Sequence, residues 1–198
     1  VLYAYILVPI WGSKKYAAGL LPPRLMRRIS LTVVTAVSVA FAANVLALLQ
    51  QTMIFFSVDA VTAITGGLWQ VVRIGSRSGD MWNARAFFLL LIALAQFGAW
   101  YYWQRKPRFV RSFLTAQVWA AALLIGTQAV NSHAAGALVW PWVAVTNHWL
   151  HALAVAFWVG GIAALVLILP VALAPYADEA RWQALRPVIR RFSRYVLG

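Results

Sequence analysis

Three histidines supply the only imidazole nitrogens in this 198-residue chain, and two of them, His148 and His151, are spaced to act together. Residues three apart on a helix share a face, so such a pair can grip one metal from a single helix while a neighbour supplies a further ligand. His133 precedes them in Asn131-Ser132-His133-Ala134-Ala135-Gly136, a connection able to fold over the same pocket. Imidazole is a common ligand for copper, zinc and haem iron. Thioether sulfur is a soft ligand for Cu(I). Met53 and Met81 fall on the histidines' side of the layout argued below, and Met26 on the other. Each group also has an ordinary reading. Met fills irregular apolar gaps freely, and a histidine inside a membrane often only hydrogen-bonds a neighbour, here Gln128, Asn131 or Asn147.

Other chemistry is sparse. Cysteine is absent, so neither disulfides nor thiolate metal sites are available. No glycine-rich loop ending in Gly-Lys-Ser or Gly-Lys-Thr is present to cradle a nucleotide. The four acidic residues, Asp59, Asp80, Asp178 and Glu179, all avoid the centres of apolar runs, which leaves no carboxylate relay across a bilayer. Ser132 beside His133 is a sequence neighbour and not a nucleophile–base geometry. The chain does not read as an enzyme.

The elements that must position the histidines are membrane helices. The chain is 63% hydrophobic and 11% charged, with 11 Trp and a mean hydropathy of +0.76. So little charge cannot cover a soluble domain, and the lipid bilayer is the expected solvent. The expected fold is all-α, a polytopic membrane helix bundle in one transmembrane domain over 1–198. About four complete spans fall at 30–56, 83–103, 112–130 and 142–169, with partial helices at 1–11 and 195–198. The chain thus reads as part of a longer membrane protein. Pro22-Pro23 reads as a break before the first full span. Counted from residue 142 at about 1.5 Å per residue, His148 and His151 lie about 9 and 14 Å inside the last span. Further along that helix, Trp158, Gly160 and Gly161 read as a close helix-packing surface.

Charge sets the expected orientation. Fourteen of the 17 Lys and Arg residues occupy three alternate connections, around Lys14–Arg28, Arg105–Arg111 and Arg181–Arg194. The remaining three are Arg73, Arg77 and Arg85. Basic loops stay in the cytoplasm, so all three histidines face the other side. Trp82, Trp140 and Trp142 suit an outer aromatic belt, and Trp11, Trp100, Trp103 and Trp182 an inner one. Residues 57–82 are apolar in part but contain Asp59 and Gly66-Gly67. A span there would move Arg105–Arg111 outside, so the segment reads as an outer interfacial or re-entrant helix. The net charge of +13 then anchors loops against anionic head groups rather than nucleic acid.

Several of these motifs together resemble the copper resistance protein D family. They are Asn131-Ser132-His133-Ala134-Ala135-Gly136, His148-Trp149-Leu150-His151 leading into Phe157-Trp158-Val159-Gly160-Gly161, and Arg190-Arg191-Phe192-Ser193-Arg194. Upstream, Gly75-Ser76-Arg77-Ser78-Gly79-Asp80-Met81-Trp82 with Arg85 looks like the same family's outer segment. The matching stretches run from about 30 to 195. The resemblance implies a multi-pass protein of the bacterial inner (plasma) membrane that takes copper from the extracytoplasmic side and moves it towards the cytoplasm. It implies His133, His148 and His151 as recurrent histidines, and Arg77, Gly79, Trp82 and Arg85 as outer-segment positions. It also implies an extracytoplasmic copper-binding domain or protein as partner. Whether copies of the chain associate stays open.

Two alternatives remain at this stage. Membrane helices also hold b-type haem through histidines for electron transfer, although axial ligands must approach a haem from opposite faces and His148 and His151 share one. A structural or sensory subunit with hydrogen-bonded histidines is the other.

Overall fold

A computed structural model describes residues 6–7 and 23–197. The partial segment expected at 1–11, apart from Ile6 and Leu7, lies outside the described residues, as do Lys14, Lys15 and Gly198. Among the described residues the fold is all-α, without a strand. The helices are α1 (Pro23–Phe56), α2 (Ala60–Thr65), α3 (Leu68–Gly75), α4 (Arg77–Tyr102), α5 (Val110–Val130), α6 (Pro141–Leu167), α7 (Leu169–Leu173) and α8 (Asp178–Leu197). Of these, α1, α4, α5 and α6 are long and apolar enough to cross a membrane.

Helix ends follow local chemistry, and they differ in places from the sequence expectation. Helix α1 starts at Pro23 rather than at 30. Proline is tolerated in a first turn, where its missing N–H would have no partner anyway, so this proline opens the helix instead of breaking it. The helix ends where Ser57 turns left-handed, with φ 52, and the Val58 N–H bonds back to the Met53 carbonyl at 3.1 Å. That is the Schellman closure. Asp59 caps α2, its carboxylate accepting from the Thr62 N–H at 2.7 Å. This bond holds the Asp59 carboxyl below its ordinary range. The cap is therefore present above that range and is lost as acid titrates the group.

Helix α4 begins at Arg77 rather than at 83. The Ser76 hydroxyl accepts from the Gly79 N–H at 3.0 Å, and Asp80 places a carboxylate in the first turn, where the helix dipole favours it. At the other end of the chain, 178–197 forms the single helix α8 instead of a loop with a new start. Ala184 and Val188 are buried while Arg181, Arg186, Arg190 and Arg191 are exposed. That is the pattern of an amphipathic surface helix.

The described residues group into two compact units. One takes its described residues from 1–33, 95–118 and 152–198, and the other comprises Val34–Leu94 and Trp119–His151. In the first, Leu25, Met26, Ala99, Val110, Leu114 and Val188 are among the buried core residues. A chain of amides crosses this unit. The Gln117 amide donates to the Gln96 carbonyl oxygen at 2.9 Å, and the Gln96 amide donates to the Ser30 hydroxyl at 2.9 Å. Gln96 is buried, so Gln96→Leu leaves two polar partners unmatched. A loss of about 1–3 kcal/mol is expected, read as a lower melting temperature in detergent. An unchanged melt would show that the amide chain contributes nothing.

Gly161 of α6 lies under the Phe192 ring of α8, where an added Cβ would collide with it. Gly160 meets nothing within 4 Å, and Trp158 is exposed. Of the three positions expected to form a helix-packing surface, only Gly161 makes a close approach.

Candidate functional site

Both motif groups singled out by the sequence, the histidines and the outer segment, lie in the second unit. Helix α6 is docked there by Trp149. Its indole N–H donates to the Ala122 carbonyl of α5 at 2.9 Å, and the ring lies over Gly126. Val145, one turn earlier, is also buried. At about 100° per residue, His148 and His151 fall within about 60° of each other and lie about 100° and 160° around the helix from Trp149. Both are exposed. The one tryptophan between them thus settles which way they look.

His133 opens a 3-10 turn, His133–Gly136, after α5. Ser132 caps the turn, its hydroxyl accepting from the Ala134 N–H at 3.3 Å and donating to the Ala129 carbonyl at 2.7 Å. His133 is exposed. None of the three imidazoles hydrogen-bonds another described group. Gln128, one candidate partner for a histidine, accepts from Arg85 instead. Among the described residues no group of three or more His, Asp or Glu side chains comes together that could hold a metal. The paired imidazoles of α6 are therefore the compact feature, with His133 on a separate turn of the same unit. Met53 is half-buried in the last turn of α1, and Met81 is half-buried near the start of α4.

The outer segment joins several helices of this unit. Gly79 is buried against the carbonyl oxygens of Val72 and Arg73, where any Cβ would collide. Arg77 donates to the Val130 carbonyl at 2.9 Å and so satisfies the C-terminal end of α5. Trp82 and Asn44 of α1 bond reciprocally. The indole donates to the Asn44 carbonyl at 2.8 Å, and the Asn44 amide donates to the Trp82 carbonyl at 3.3 Å. Arg85 donates to the Thr127 hydroxyl and the Gln128 carbonyl oxygen of α5, each at 3.1 Å. Asp80 is exposed. Arg73 donates to Asn83 at 3.3 Å.

Sequence reasoning missed Asn44, Thr127 and Asn83 as partners in this set. Asn44 carried a usable signal, being an amide within an apolar run, because polar side chains inside membranes tend to bridge helices.

Comparison with protein-family models, curated proteins and solved structures returned no match. The four long apolar helices define the chain as a multi-pass α-helical membrane protein that sits in a lipid bilayer.

Proposed function

We propose that this chain is a copper-transport protein of a bacterial plasma membrane, with copper as its cargo. His148 and His151 capture the ion on the extracytoplasmic side, His133 joins them, and Met53 and Met81 are candidate sulfur ligands. One observation carries the reading. Two exposed imidazoles, without a hydrogen-bond partner among the described residues, stand at i and i+3 on an apolar membrane helix. Ionisable side chains in such a setting are costly and usually functional, and unengaged nitrogens are what a metal needs. The resemblance of the histidine motifs to the copper resistance protein D family directs the choice of metal.

Orientation rests on charge. Arg73, Arg77 and Arg85 all bond protein groups in the second unit. The described basic residues around 24–28, 105–111 and 181–194 are exposed. Fourteen of the 17 Lys and Arg residues fall in the three alternate connections, and that majority sets the orientation by the positive-inside rule. An extracytoplasmic copper-binding protein or domain is the partner this reading expects.

The test is copper accumulation in cells expressing the full chain, wild type against the His133→Ala, His148→Ala, His151→Ala triple variant at equal membrane abundance. Loss of the chain-dependent copper change is expected. Equal accumulation would sink the transport reading.

A further inference from the structure

We infer that the second unit carries a binding site for an anionic phospholipid head group, in a cavity walled by α1, α4 and α5. The cavity holds about 320 Å³. Its apolar wall includes Ala43 and Ala47 of α1 and Leu89 of α4, and its polar wall is Asn44, Arg85 and Gln128.

One feature of the polar wall asks for a ligand. Arg85 carries five N–H groups, and its bonds go to Thr127 and Gln128, both neutral. A guanidinium inside a membrane-spanning helix is expensive without a counter-charge.

The complementary ligand carries an anionic oxygen for Arg85, which a phosphate ester supplies. Arg85 repels a metal cation, so this cavity is no second copper site. Access points to the bilayer as the source. Ala43 and Ala47 are exposed along α1, which places the cavity mouth on a membrane-spanning helix. Arg85 lies about 12 Å along α4 from Arg77, a depth that a lipid phosphate and a long basic side chain can share. Phosphatidylglycerol meets every requirement. The site does not depend on the histidines or on copper.

Native mass spectrometry of the full chain, stripped of lipid and then offered defined lipids, tests this. Wild type is expected to retain phosphatidylglycerol at least about tenfold more strongly than phosphatidylcholine, and Arg85→Gln to lose that preference. Should Arg85→Gln not fold, Ala43→Leu, which fills the mouth and leaves the polar groups alone, decides instead. Phosphatidylglycerol retention should then fall at an unchanged melting temperature. Retention undiminished by Arg85→Gln or by Ala43→Leu would overturn the proposal. So would binding of soluble glycerol 3-phosphate as strong as that of the lipid, which would make the ligand a free anion.

Discussion

Purified protein with both His148→Ala and His151→Ala is expected to bind copper more than about a hundredfold more weakly than wild type. Removing partners that merely orient a metal ligand already weakens binding by about 10–100-fold, and here both of the proposed ligands on α6 are removed. Each single variant should fall between, and His133→Ala should lose less than the double variant. The experiment is clean because both imidazoles are exposed and bond no described residue, so their loss should leave the melting temperature unchanged. Copper stoichiometry equal to wild type in the double variant would remove the site.

Gly79→Ala is expected to be the most damaging single-atom-group change in the outer segment, lowering stability by about 3 kcal/mol or more. The added Cβ would meet the main-chain oxygens of Val72 and Arg73. A rotating side chain could yield, but these carbonyls end α3 and cannot move without shifting α3 against α4. Gly75→Ala is the matched control. It lies four residues away, meets nothing within 4 Å, and should leave stability near wild type. Melting temperatures of the two variants in the same detergent decide the matter. Equal melts would mean that α3 and α4 do not approach as closely as described.

Much of the frame was legible in the chain because it depends on bulk solvation. Long apolar runs between clusters of arginine mark four spanning helices whatever their detailed contacts. Helix ends were less legible. Pro23 and the Gly75-Ser76-Arg77-Ser78-Gly79 stretch look like interruptions by composition, yet one opens α1 and the other caps α4 through Ser76. A serine three residues before Gly79, followed by Asp80, was the available start signal. Arg181–Arg194 read as a loop because charge masked its periodicity, although Ala184 and Val188 are spaced to share one helix face.

Within the candidate site, the i, i+3 spacing of His148 and His151 foretold a common face but not its direction. That direction comes from Trp149 bonding α5, a tertiary contact that no local pattern encodes. The polar partners were hidden for the same reason. Asn44, Gln96 and Gln117 each sit singly in apolar sequence, and only the folded chain shows which amide meets which.

One inequality among the long helices bears on the membrane itself. Helix α1 has 34 residues and α5 has 21, or about 51 Å against about 32 Å of axis. The hydrocarbon layer of a bilayer is about 30 Å thick. α5 matches it upright, whereas α1 exceeds it by about 21 Å. Either α1 leans steeply or its last turns, with Ile54 and Phe55 exposed, rise clear of the lipid tails. A change in acyl-chain length would therefore be felt first by α1, the helix that carries Asn44 and one wall of the Arg85 cavity.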